Sequence, residues 1–77
     1  MGKAGQALRQ VLETYGISQN RLAVLIDIPR STVHRWINEV RDPAADSVLE
    51  IRDALEKINP SAARDFIRLY LGNEPEE

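Results

Sequence analysis

Cysteine is absent from the 77 residues, which excludes a disulfide framework, a cysteine-ligated zinc site and thiol catalysis. Histidine occurs once, as His34, and a lone imidazole without thiolate partners does not build a metal site. Aromatic residues make up only 5% of the chain, and four glycines and four prolines are too few for a low-complexity sequence. The longest apolar run, Leu22-Ala23-Val24-Leu25-Ile26, is far short of the ~20 residues a membrane helix requires. Strict polar–apolar alternation is missing, so no strand is expected. No secretory signal precedes the first amphipathic segment, and a reducing cytoplasm is the expected location. Gly2-Lys3-Ala4-Gly5 lacks both the spacing and the preceding strand of a phosphate-binding loop. With no nucleophile–base pair to assemble, the chain is expected to be no enzyme and to hold no cofactor and no metal.

What is present is an ordinary globular composition, 43% hydrophobic and 29% charged, enough for one small domain. The net charge of −2 argues on its face against a nucleic-acid partner. Its distribution argues otherwise. Through Arg41 six basic residues (Lys3, Arg9, Arg21, Arg30, Arg35, Arg41) outnumber Glu13, Asp27 and Glu39, whereas from Asp42 onward Arg52, Lys57, Arg64 and Arg68 face nine acidic residues. Such asymmetry implies one basic face and a second region with another task. Eight of the ten basic residues are arginine, the side chain suited to planar, two-pronged contacts with phosphate and guanine.

Helical periodicity predicts an all-α bundle of five short helices. Ala4, Ala7, Leu8, Val11, Leu12 and Tyr15 lie at helical spacing, and Gly16 sits where a glycine ends such a helix. Ser18 is placed to cap a second helix carrying Leu22, Leu25 and Ile26, which Asp27-Ile28-Pro29 breaks; Pro29 is expected to open the next one. The third helix, about Arg30 to Asn38, carries the stripe Val33, Trp36 and Ile37. Ser47 and Glu50 have capping-box spacing, which predicts a fourth helix from Asp46 or Ser47 with Val48, Ile51, Leu55 and Ile58 inward. A fifth follows Asn59-Pro60-Ser61 and holds Ala63, Phe66, Ile67 and Tyr70. The domain is expected over residues 1–72, and residues 73–77 form an acidic tail.

Two helices of about nine residues joined by three or four have the dimensions of a helix-turn-helix. Small Ala23 allows close approach, Ile28, Val33 and Trp36 fill the space between, and Arg30, Ser31, His34, Arg35 and Asn38 lie on the outer face. All five can bond a base or a phosphate. The segment from Ser18-Gln19-Asn20-Arg21-Leu22-Ala23 through Arg30-Ser31-Thr32-Val33-His34-Arg35-Trp36-Ile37-Asn38 to Arg41-Asp42-Pro43 resembles the phage Cro/repressor (XRE, lambda-repressor-like) helix-turn-helix family. Leu49, Ile51, Ala54 and Leu55 fit that family's next core helix.

The resemblance implies a bacterial or phage transcriptional regulator, most simply a repressor, that binds double-stranded DNA at a palindromic operator. Gln19 would bond a phosphate or outermost base. Arg30 and Ser31 would meet base edges, Arg35 a base or the backbone, and Asn38 with Arg41 would anchor the loop to phosphate. Asp27 and Glu39 stand where the family usually has glycine. Each residue also has a plainer reading: the arginines, His34 and Gln19 as solvated surface, Trp36 as core rather than a stacking platform. The second functional reading is a protein-interaction module, adaptor or antitoxin-like, which the acidic pI of 5.4 favours. A homodimer is expected through Phe66, Leu69 and Tyr70, because apolar residues run almost all round the end of the fifth helix. The alternative is that Phe66 and Leu69 close over the first helix within one chain.

Overall fold

The computed structural model describes residues 3–38 and 40–72. Five helices follow one another: α1 (Lys3–Tyr15), α2 (Gln19–Ile26), α3 (Arg30–Ile37), α4 (Ala45–Ile58) and α5 (Pro60–Tyr70), with no strand among the described residues. None of these helices is long and apolar enough to cross a membrane. Each contributes to one core: Leu8 and Val11 from α1, Leu22 from α2, Val33 from α3, Ile51 and Leu55 from α4 and Phe66 from α5 are fully buried. α1 packs on α5 and α3, α4 on α5 and α2, and α2 on α3.

The helix ends follow from local chemistry, with two shifts from expectation. Gly16 at φ +64 lets the Ile17 N–H reach back 2.9 Å to the Leu12 carbonyl and close α1. Asn59 caps α5 by accepting from the Ser61 N–H at 2.9 Å, with Pro60 next in the chain. Pro29, however, is the residue before α3 rather than its first residue. Its φ of −64 and ψ of 144 suit an extended cap position, and its carbonyl accepts from Thr32 at 3.0 Å. α4 likewise starts at Ala45, ahead of Ser47, and no side chain caps it. Buried Pro43 and extended Ala44 deliver the chain into the helix one or two residues early, and the Ala44 carbonyl accepts from Val48 at 2.9 Å. Leu49, expected inward, faces solvent.

Asp42 has a task that its place in the acidic half does not suggest. Its carboxylate accepts from the Gly5 N–H at 3.2 Å, across 37 residues of chain. A carboxylate there satisfies a first-turn donor and complements the positive end of the α1 dipole. Gly5 itself is where α1 crosses the end of α3, because a Cβ on it would stand 2.3 Å from the Trp36 carbonyl oxygen. At the other end of α1 the Tyr15 hydroxyl donates to Asp65 of α5 at 2.5 Å. That bond holds the Asp65 carboxyl below the usual carboxylate range and raises the Tyr15 hydroxyl above its ordinary 10.

The fifth helix corrects one expectation. Phe66 is 0% exposed, with Ala62 and Ala63 beside it in the core, so it offers nothing to a second copy. Tyr70 stacks on it at a ring-centroid distance of 6.3 Å. Leu69 borders a shallow groove with Lys3, Gln6, Ala7 and Gln10 of α1. Closure within one chain uses most of this apolar surface, because α5 is covered on two sides, by α1 and by α4. The acidic tail, residues 73–77, lies outside the described residues.

Gly5→Ala should lower the thermal midpoint. Helix propensity favours alanine by about 1 kcal/mol, whereas overpacking against backbone costs about 1–3 kcal/mol. A net loss therefore reports the contact with Trp36. An unchanged or raised midpoint would show that α1 does not approach α3 this closely.

Candidate nucleic-acid interface

α2 begins because Ser18 adopts an extended backbone, φ −79 and ψ 151, and its Oγ accepts from the Arg21 N–H at 3.0 Å. This cap leaves the N–H groups of Gln19 and Asn20, the first two of the helix, without intrahelical partners. α2 ends at Asp27, whose φ of 69 and ψ of 49 are left-handed. The Asp27 N–H reaches Val24 at 3.2 Å and the Ile28 N–H reaches Ala23 at 3.0 Å, the paired closure usually built on glycine. Aspartate tolerates this region better than most residues, so the turn keeps its geometry without glycine. Ala23, almost wholly buried, gives α3 room to pack.

On α3 the residues divide by face. Val33, Trp36 and Ile37 are buried, and His34, Asn38, Ser31 and Arg35 are exposed over an arc of about 100° at 3.6 residues per turn. Arg30, at the start of the helix, is also exposed. The crossing of α2 and α3 brings Gln19, Arg30, Ser31 and His34 together along a cleft of ≈ 610 Å³, with Ser18 and Asn20 completing its lining. The lining contains no carboxylate.

The loop after α3 folds back on that helix: Val40 and Arg41 N–H groups both point to the Arg35 carbonyl, at 3.0 and 3.4 Å. Arg41 is thereby held at the end of α3, exposed but outside the cleft. Asn38 turns inward on its own helix, donating to the His34 carbonyl at 2.8 Å with its amide 3.1–3.2 Å from the His34 ring nitrogens. Gln19, Arg30, Ser31 and His34 thus share one cleft, Arg35 and Asn38 continue the exposed arc, and Arg41 flanks it. Asn20 was not among the residues that sequence reasoning singled out; its signal is position, one step beyond Gln19 in the open first turn of a capped helix. Glu39 lies outside the described residues.

Arginines elsewhere are engaged: Arg9 with Glu13 at 3.4 Å, Arg52 with Asp53 at 3.0 Å, Arg68 with Asp65 at 3.3 Å, and Arg64 with the Ser61 hydroxyl at 3.2 Å. Arg21, Arg30, Arg35 and Arg41 meet no carboxylate among the described residues. Among the described residues, the face made by the cleft and the exposed arc of α3 therefore carries the guanidinium groups of Arg30 and Arg35 without carboxylate partners, beside amide and hydroxyl side chains. Phosphate and base edges are the ligands such a set can bond. Among the described residues no group of acidic or imidazole side chains is placed to hold a metal ion.

A family model described as helix-turn-helix matches residues 8–61. No match to the chain was found among curated proteins or among solved structures. The matched stretch takes in α2, α3 and α4, and the chain belongs to this family, in its Cro and lambda-repressor (XRE) type. Its members are DNA-binding transcription regulators and not enzymes.

Trp36 is 5% exposed and belongs to the packing beneath this face, so Trp36→Ala should act through stability. Truncating a buried aromatic costs about 3–5 kcal/mol, a large share of what so small a domain holds. A normal melting midpoint combined with lost DNA binding would instead make Trp36 a contact residue.

Proposed function

We propose that this chain, a member of the helix-turn-helix family of Cro and lambda-repressor type, is a sequence-specific repressor that lays α3 in the major groove of duplex DNA. The observation that carries this reading is the carboxylate-free cleft joining Gln19 of α2 to Arg30, Ser31 and His34 of α3, with every arginine of that face left unpaired among the described residues. Gln19, with the open N–H groups of the α2 first turn, bonds a phosphate or the outermost base. Arg30 and Ser31, at the N-terminal end of α3, read base edges, and a two-pronged arginine contact selects guanine.

His34 and Arg35, one turn on, bond a base or the backbone. Asn38 and Arg41 position the loop on phosphate, Asn38 after exchanging its bond to the His34 carbonyl. The adaptor reading gains nothing from Arg30 and Arg35 at these two positions, since a protein–protein contact does not need a guanidinium at each base-reading site. The DNA placed in this face lies in the cytoplasm of a bacterial host, and the protein works there.

The operator is palindromic and the protein meets it as a homodimer, with half-sites about one helical turn (~34 Å) apart. Phe66 is excluded from that contact by burial. Leu69 and Tyr70, half-buried in the single chain, are the proposed contact residues on α5. Tight association is unnecessary, because two halves bound to one duplex reinforce each other.

Selection of binding sites from random duplex DNA should enrich a palindrome. On the selected site Arg30→Ala should cost about 1–3 kcal/mol and relax the preference at one base pair. Arg41→Ala should weaken all sequences alike and flatten the salt dependence by about one unit. Identical behaviour of the two variants on selected and random DNA would overturn the assignment of α3. For the dimer, sedimentation should detect a two-to-one complex on the palindrome that Leu69→Glu abolishes while still binding as one copy. Only single copies with wild type, or an unaltered complex with a folded Leu69→Glu, would remove α5 from the contact.

A further inference from the structure

Histidine occurs once in the 77 residues, as His34, and it is the side chain whose charge ordinarily changes between about pH 5 and 8. Tyr15 and Asp65 are moved in opposite directions by their shared hydrogen bond, upward and downward, and both stay outside that range. The fold puts the single imidazole in the cleft between α2 and α3, with Gln19, Asn20, Arg30 and Ser31. A proton gained or lost by this chain near neutrality therefore belongs to the surface proposed to meet DNA.

Among the described residues no carboxylate pairs with the imidazole. α2 contributes only the uncharged Ser18, Gln19 and Asn20 to the cleft, and α3 contributes Arg30 and Ser31, with Arg35 exposed one residue beyond His34. α1 turns Arg9 and Glu13 to a different groove. In the loop after α3, Arg41 is held at the Arg35 carbonyl and Asp42 is bonded to the Gly5 N–H. The Asn38 amide nitrogen is 3.1 Å from Nε2 and 3.2 Å from Nδ1. Nearly equal distances place that amide over the face of the ring and in line with neither nitrogen, so both ring edges can still bond a ligand.

A duplex brings to this face the negative charge that the free protein does not supply there. Its phosphates carry a dense array of charge, and a negative group within about 4–6 Å favours the protonated imidazole. Charging also changes what the ring can bond. A neutral imidazole has one donor and one acceptor, whereas the imidazolium donates from both nitrogens. Phosphate oxygens and the O6 and N7 of guanine only accept, so the charged ring meets them through either edge.

We propose that His34 takes up a proton when the protein docks on DNA, and that the imidazolium is the binding form, donating to an acceptor-only group of the duplex, a phosphate oxygen or a guanine edge. DNA binding is thereby tightened by acid over the range in which imidazole titrates. The complex holds the extra proton, so the gain is complete below the pH at which the free ring charges. It is lost as the pH rises through the value at which the bound ring discharges. The proposal rests on the DNA reading above and adds to it a dependence on pH.

The test is to measure binding of the wild type and of His34→Gln to a selected and to a random duplex between roughly pH 5.5 and pH 8 at fixed salt. Wild-type affinity for the selected duplex should be about tenfold higher at the acid end. His34→Gln, checked for folding by its melting curve, should change by less than about twofold over the same range. The ring signals of the single histidine should pass from charged to neutral at a higher pH in the complex than in the free protein. An equal gain on random DNA, with a salt dependence steeper by about one unit at acid pH, would identify phosphate as the acceptor. A gain confined to the selected duplex, and lost when one guanine is replaced, would identify a base edge. Equal pH dependence in wild type and His34→Gln, or the same ring titration free and bound, would overturn the proposal and leave the DNA reading standing. Failure of the wild type to bind any duplex at either pH would overturn the DNA reading, and the proton uptake with it.

Discussion

The close crossing of α1 over the end of α3 is the constraint on which the rest of this fold depends. Gly5 has no Cβ where one would stand 2.3 Å from the Trp36 carbonyl oxygen, and its N–H is fixed by Asp42 from the following loop. Backbone on one side of that contact cannot yield as a flexible side chain could. With α1 in this place, Leu8 and Val11 reach the core from one side while Tyr15 at the far end ties α1 to Asp65 of α5. The contact also fixes what lies beneath the candidate interface. Trp36 is held from below by α1, so the exposed arc of α3 is presented on a supported helix. A site on a rigid element positions its side chains more closely than one on a loop can.

Surface ion pairs contribute little to the stability of a domain, about 0–1 kcal/mol each. That Arg21, Arg30, Arg35 and Arg41 meet no carboxylate among the described residues therefore costs the fold almost nothing. For binding, the same choice has a larger effect. A guanidinium already paired must be released before it can bond a phosphate, whereas an unpaired one contributes its charge at once and displaces the counterions of the duplex. An acidic protein can in this way act on DNA through one face, since at physiological salt the screening length is about 8 Å.

α5 is used on several sides. Phe66, Ala62 and Ala63 belong to the core, and Leu69 and Tyr70 sit half-buried at its margin. Ile67 and Leu71 border a cleft with α4. This division explains how one helix of 11 residues can be apolar nearly all round while packing on two neighbours. Two neighbours, α1 and α4, cover a wider arc than the single stripe expected of a helix with one partner.

Local chemistry made much of this protein legible in its sequence. Helix number and type followed from apolar spacing, and Gly16, Ser18 and Asn59 marked their ends because a cap acts on groups within a few residues of itself. The polar outer face of α3 was equally readable, since helical periodicity assigns faces before any partner is known. What depended on distant neighbours was not. Asp42 reads as one more acid in an acidic half, and only the approach of α1 across 37 residues makes it a cap. Phe66 reads as surplus apolar surface until α1 and α4 close over it. Asn20, Gln19 and His34 share a cleft only because α2 crosses α3 at a particular angle, which sequence spacing does not encode. The sequence by itself determined the helices and the faces they present, because those rest on contacts within a turn or two. The tertiary structure decided which faces meet and which arginines stand without a carboxylate among the described residues, because those depend on atoms that only the folded chain brings within reach.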